Sequence, residues 1–344
     1  FPLDAPAIVL AAAGAALTFF GVGHLGVGGT IGWTSPLVWL PTALGVLAIA
    51  ALITYQFHHQ QSLMPVKPIA TTFPLIGIIA GVLGGAGYTA LLELLLLYLT
   101  RVRGYSPIGL SLVLWPGVAA AVVAALVFGK LFSTRYLLLL PLLGVTSLIA
   151  AGWILSTTTI SSGSGEALWI AGMLGFGAGV TVAPALFLAG LSVQPNLVGR
   201  AFALVELLRL AGAFALVPAF TYFATIYGMR PEQLMLGLHL MYWVVLIGLV
   251  ATVAICAAIF LLGGARIHAP NLNAYINEGQ PALESPEAPR EHDERPPIGE
   301  QLRSAYNNTL LRGEEGRRGA GPRSRRDVER DETAEPRDGL PASD

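Results

Sequence analysis

Residues 234–262 read LMLGLHLMYWVVLIGLVATVAICAAIFLL, a run without a single Asp, Glu, Lys or Arg. A bilayer core about 30 Å thick takes roughly 20 apolar residues in helical form, and this run is longer than that. An open strand could not cross lipid, because its backbone groups would go unpaired. The stretch therefore reads as a membrane-crossing helix. Working outward from it, seven more runs qualify, at approximately 6–27, 36–55, 74–99, 107–129, 136–156, 167–192 and 200–226. Turn-rich connectors separate them, such as Gly28-Gly29, Trp33-Thr34-Ser35-Pro36, Gly104-Tyr105-Ser106-Pro107 and Ser161-Ser162-Gly163-Ser164-Gly165. Pro6, Pro36, Pro74 and Pro107 fall in first turns, where a missing N–H leaves no helix bond unmade.

Composition supports the same class. Hydrophobic residues make up 54% of the 344, charged residues 12%, and the mean hydropathy is +0.65. Of 41 charged residues, 28 lie in 265–344. Soluble domains are about a quarter charged, so residues 1–264 could not cover a wet surface. The expectation is an all-α, polytopic membrane protein with about eight transmembrane helices. Cys256 is the one cysteine, which excludes a disulfide framework and a cysteine-based metal site. Position 1 is Phe, not Met, and the opening does not read as a signal peptide, so the chain is expected to be a piece of something longer.

From 265 onward the composition turns to Pro, Glu, Arg and Gly with few aromatics, which predicts a disordered tail over 265–344. Within it, Gln301–Arg312 could form a short amphipathic helix. An even number of spans puts both ends on one side, and the Arg-rich tail favours the cytoplasm for that side. Lys67, Lys130, Arg135 and Arg200 would then lie in cytoplasmic loops, opposite Arg101, Arg103 and Arg230.

Inside the spans, glycine and ionisable residues carry the information. Gly81, Gly84, Gly85 and Gly87, and again Gly175, Gly177 and Gly179, make small-residue faces that let helix backbones approach closely. Pro116, Pro184 and Pro218 interrupt spans and free backbone groups. Four ionisable residues stand in apolar surroundings: His24, Glu93, Glu206 and Arg209. Such groups are costly in lipid unless paired or wetted. Glu93 sits in Ala90-Leu-Leu-Glu93-Leu-Leu-Leu-Leu97 and is a proton-coupling candidate; the alternative is a carboxyl that reaches water, Arg101 or Arg103 near the helix end. Glu206 and Arg209, three apart, share a helical face. They are an internal ion pair that locks packing, or a gate whose pairing changes between two bundle orientations. His24 and His239 read as interfacial, and His58-His59 lack a third ligand for a metal. No nucleophile elbow, zinc-binding helix motif or phosphate loop is present, so an enzyme is not expected.

Several segments in order resemble the EmrB/QacA-type drug transporters, the fourteen-helix branch of the major facilitator superfamily. They are Asp4-Ala-Pro-Ala-Ile with Gly32-Trp-Thr-Ser-Pro36, Met64-Pro65-Val-Lys67-Pro68, Tyr98-Leu99-Thr100, Gly104-Tyr105-Ser106-Pro107, Gly175–Pro184, and Gly199-Arg200-Ala201 through Arg209-Leu-Ala-Gly212. Two departures stand out. Thr100 replaces the family's glutamine, and Gly129-Lys130-Leu-Phe-Ser-Thr-Arg135-Tyr136 lacks the family loop's acidic residue and final glycine.

The resemblance implies two linker helices with a cytoplasmic connector over 1–72 and a six-helix C-terminal bundle over 73–264, with an N-terminal six-helix half missing. It implies a proton-coupled exporter of lipophilic or cationic small molecules in the cytoplasmic membrane, with no cofactor, metal or nucleic-acid partner. In that picture Lys130 and Arg135 clamp the cytoplasmic loop, Glu206 and Arg209 gate, and Tyr88 and Tyr98 line the substrate cavity; Glu93, a proton-coupling candidate on its apolar surroundings alone, matches no family position. The alternative is a non-transporting fragment or subunit that needs a separate N-terminal half.

Overall fold

A computed structural model describes residues 4–26, 30–58 and 71–285. Expectations on Gly28-Gly29, on the connector over 59–70 with His59 and Lys67, and on the chain from 286, with 301–312, lie outside the described residues. Eight helices are long and apolar enough to cross a membrane: α1 (Ala5–Gly23), α2 (Pro36–His58), α3 (Thr72–Leu97), α4 (Pro107–Leu131), α5 (Leu140–Thr157), α6 (Ser164–Leu191), α7 (Val198–Thr225) and α8 (Pro231–Leu262). No strand occurs among the described residues. All eight expected spans form.

Local chemistry sets their limits. Asp4 caps α1 by accepting from the Ala7 N–H at 3.3 Å, and Ser106 caps α4 by accepting from Gly109 at 3.2 Å. The end of α3 widens into a π turn over Tyr98–Val102, and Gly104, at φ 67°, turns the chain back toward α4. Successive helices alternate in direction, so α1, α3, α5 and α7 begin at one end of the molecule (the first end) and finish at the other (the second end).

α3 and α6 are the central pair. α3 packs on α7 and α8, whereas α6 packs on α4 and α5, and the two cross each other. Each leading helix is thus embraced by the second and third helices of the other triplet, the arrangement expected of two three-helix repeats of inverted topology. The glycines set these approaches. A Cβ on Gly77 would meet Ala185 O at 2.6 Å, and one on Gly84 would meet Thr181 Cγ2 at 2.7 Å, both on α6. On Gly87 it would meet Leu249 of α8 at 2.7 Å. On α6, Gly179 faces Ala124 of α4 at 2.7 Å and Gly177 faces Leu148 of α5 at 2.7 Å. In lipid no hydrophobic effect drives helices together, so this close packing supplies the attraction.

α1 and α2 form an antiparallel hairpin. Its first end is tied by Asp4, which accepts from Tyr55 Oη at 3.3 Å and Gln56 Nε2 at 3.1 Å. Its second end meets α7 through Phe19 edge-on to Phe214 at 5.4 Å, and through Val22, Leu25 and Val38 around Tyr222.

One boundary moves. The disordered tail expected from 265 does not begin there, because the chain stays packed to Ser285. Ala282 and Leu283 both donate their N–H to the Leu191 carbonyl, at 2.8 and 3.1 Å, and Ser285 Oγ accepts from the Phe73 N–H at 3.2 Å. Ala282 and Leu283 join the core cluster at the first end of the bundle, with Leu272 and Tyr275 packed against it. Burial raises the Tyr275 phenol above its ordinary pKa, so it remains a donor, to Gly190 O at 3.4 Å. A handful of apolar residues scattered through a polar segment outweighs its composition, because a ready-made apolar bundle end receives them.

Candidate functional site

Glu206 and Arg209 lie on α7, and the helix turn places both on one face. Arg209 Nε donates to Glu206 Oε2 at 2.9 Å while Nη2 reaches Oε1, a forked pairing that uses both carboxylate oxygens. At ~1.5 Å per residue, Arg209 sits about 16 Å along α7 from Val198, near the middle of this 28-residue helix. The pair is asymmetric in exposure. Arg209 is 19% exposed and Glu206 43%. The cation is therefore the more deeply buried partner and the carboxylate the more exposed one.

What lies beneath Arg209 is Gly85 of α3. A Cβ at position 85 would meet Arg209 Cγ and Cδ, each at 2.8 Å. Two further contacts carry the same helix pair: Val205 Cγ1 stands 3.4 Å from a Cβ on Gly81, and a Cβ on Gly212 would stand 3.8 Å from Ala86. Positions 205, 209 and 212 of α7 thus settle on 81, 85 and 86 of α3, in parallel.

Glu93 occurs two turns beyond Gly85, and Thr89 between them donates to the Gly85 carbonyl at 2.9 Å. Spacing by four puts Gly85, Thr89 and Glu93 on one α3 face. Glu93 is half-buried, about 12 Å further toward the second end than Gly85. It makes no ion pair with Arg101 or Arg103, and Arg103 instead donates to the Ile160 carbonyl at 2.6 Å.

The two tyrosines separate. Tyr88 is half-buried against the core cluster. Tyr98 is 3% exposed, and its hydroxyl donates to the Thr159 carbonyl at 2.9 Å. Its ring packs in the core cluster and its hydroxyl is occupied. It belongs to a cluster that sequence reasoning missed. Three successive carbonyls of the α5–α6 loop are each held by a different side chain: Thr158 by His239 Nε2 of α8 at 2.8 Å, Thr159 by Tyr98 and Ile160 by Arg103, both from the turn that ends α3. His239, read as interfacial, is thereby a loop anchor. Among the described residues no group of three or more His, Cys, Asp or Glu converges to hold a metal.

No protein-family model matches the chain. Over 194 residues, 56% of this chain, it is 25% identical to the "Uncharacterized MFS-type transporter YhcA" of Bacillus subtilis (strain 168), where MFS denotes the major facilitator superfamily. The matched part is 36% of that protein, so the chain spans well under two thirds of the relative's length. Together with the eight apolar helices, this distant similarity supports one coarse identification. The chain is a multi-pass membrane protein that is distantly similar to a major facilitator-type transporter.

Lys130 and Arg135 sit at the first end of the bundle, flanking the turn between α4 and α5, and both are exposed. Arg135 Nη2 donates to Tyr136 Oη at 3.2 Å, with its guanidinium 5.2 Å from that ring's centroid. The two cations share a turn but are not drawn into the Glu206–Arg209 pair. His24, at the second end of α1, turns Nδ1 toward the Phe20 carbonyl at 2.7 Å.

Proposed function

We propose that the chain is the C-terminal portion of a proton-coupled secondary transporter that exports lipophilic or cationic small organic molecules across the cytoplasmic membrane. The observation that carries this reading is the Glu206–Arg209 ion pair near the middle of the apolar helix α7, with the carboxylate as its more exposed partner. Charges inside such spans are expensive and mark solute or ion pathways. Carriers of this architecture bind substrate near the midplane between two helix bundles and alternate access by rocking one against the other.

Each candidate takes a role within that scheme. Glu206 and Arg209 form the gating pair, and Glu93 exchanges the proton or meets a cation. Tyr88 offers an aromatic edge to the passage. Lys130 and Arg135 hold the loop at the first end, which faces the cytoplasm. A second six-helix half, from a preceding segment or a separate chain, supplies the opposite wall. The aligned region's 36% share of its relative favours this need for a partner half, and it keeps a second reading in view: a membrane subunit that transports nothing by itself.

A reconstitution experiment separates these. The chain is placed in proteoliposomes alone and with an N-terminal six-helix half, and efflux of a fluorescent lipophilic cation is driven by a pH gradient. Transport with the second half, lost in Glu206→Gln, is the expected result. Absence of flux in both preparations overturns the transporter reading. Glu93→Gln should remove the dependence on the pH gradient; unchanged coupling assigns the proton to another group.

A further inference from the structure

The α3–α7 interface repeats one motif three times, but only one repeat carries a charge. Val205 rests over Gly81 and Gly212 over Ala86, both ordinary apolar contacts. Between them the knob is Arg209, and the hole is Gly85. A position-85 Cβ would overlap the middle of the Arg209 stem, at Cγ and Cδ, not its mobile tip. It would also stand 3.7 Å from Val182 Cγ2, so α6 walls the other side of the same slot.

The direction of the side chain follows from helix geometry. Side chains lean toward the N-terminus of their own helix, which on α7 is the direction of Glu206. A stem lying across Gly85 and leaning that way delivers the guanidinium one turn back, where both Glu206 oxygens receive it. A stem forced off α3 by a methyl group would have to swing outward, and the forked geometry would go with it. The carbonyl of Gly85 is already bonded by Thr89, so the backbone beneath the slot is fixed.

We propose that Gly85 is a positioning residue: the missing side chain leaves a slot across α3 in which the Arg209 stem lies, and this seat aims the guanidinium at Glu206. Its relevance to transport rests on the reading of the pair given above; the seat itself does not. Close helix packing alone would make Gly85 one more small residue, equivalent to Gly81. The seat makes a different demand, because the cost of filling position 85 depends on what stands at 209.

The test is a double-mutant cycle on the purified full chain in detergent micelles, comparing wild type, Gly85→Ala, Arg209→Ala and both together. Gly85→Ala lowers the melting temperature by several degrees in the wild-type background and hardly at all when Arg209 is already alanine. An equal loss in both backgrounds overturns the proposal. Should Gly85→Ala fail to fold, recovery of a folded protein in the double variant supports the seat, and failure of both variants refutes it. A second readout distinguishes aiming from packing: binding of tetraphenylphosphonium. Gly85→Ala weakens it as far as Glu206→Gln does, and adds nothing in the Glu206→Gln background; full additivity rejects the positioning role. Wild-type protein that binds no tetraphenylphosphonium counts against the transporter reading, while the melting cycle still decides the seat.

Discussion

Gly117 of α4 and Gly175 of α6 meet backbone to backbone. A Cβ on Gly175 would overlap the Gly117 carbonyl oxygen, and one on Gly117 would stand 2.9 Å from the Ala171 carbonyl. Because the obstacle is main chain, no rotamer change can make room. Gly175→Val therefore has to push α4 off α6, and overpacking of this kind costs about 1–3 kcal/mol or more. Gly248, inside α8, has open space around its Cβ position, so Gly248→Ala gains helix propensity without a clash. Thermal melting in detergent should show a clear drop for the first variant and none for the second.

Tyr98 and its neighbours fasten the α5–α6 loop by its carbonyls. Tyr98→Phe keeps the ring and removes only the bond to Thr159. Hydrogen bonds between membrane helices are worth roughly 0.6–2 kcal/mol, so stability should fall modestly. The more sensitive readout is protease cleavage within Thr158–Ser164, which Tyr98→Phe should accelerate. Arg103→Ala should act in the same direction, since it frees the adjacent carbonyl of Ile160.

The spans were legible because length and composition decide them: thirteen charges in the first 264 residues leave lipid as the solvent. The glycine faces were legible too, since Gly84 and Gly175 announce close approach whichever partner they meet. The partner was not. Nothing in the order of residues says that Gly85 faces Arg209 while Gly84, one position away, faces Thr181. A helix turns about 100° per residue, so neighbours in sequence address different helices. The Glu206–Arg209 spacing allowed the ion pair, but its depth depended on where α7 begins, and that was set by the short 3-10 turn at Pro195–Leu197. Tyr98 shows a related limit: the sequence places an aromatic near a helix end but does not name the carbonyl its hydroxyl meets.

Composition gave no sign of the packing of residues beyond 264 onto the bundle. Leu283 is fully buried at the first end of the bundle, bonded to Leu191 through its own N–H. Leu283→Ala should destabilise the purified protein by about 2–4 kcal/mol, as for other enclosed leucines. A chain that stops after Ser285 should melt like the full chain, whereas one that stops after Gly264 should melt lower. Equal melting of the two truncations would show that residues 265–285 contribute nothing to the bundle.

The Glu206–Arg209 pair makes the sharpest demand on energetics. Removing one partner leaves the other charge in hydrocarbon with no counterion, which costs about 3–5 kcal/mol for buried pairs, while removing both is often neutral. Glu206→Gln should accordingly be more damaging to folding than Arg209→Met, because it strands the guanidinium, the more buried of the two charges and the one that cannot shed its proton, whereas a stranded Glu206 is more exposed and can take a proton up. The double variant Glu206→Gln with Arg209→Met should recover most of the melting temperature lost by Glu206→Gln. Recovery of stability without recovery of transport in the reconstituted system would assign the pair to function. If the double variant both melted and transported like wild type, the pair would be packing that happens to be charged. If it melted no higher than Glu206→Gln, the lost arginine stem over Gly85 would cost at least as much as the unpaired charge.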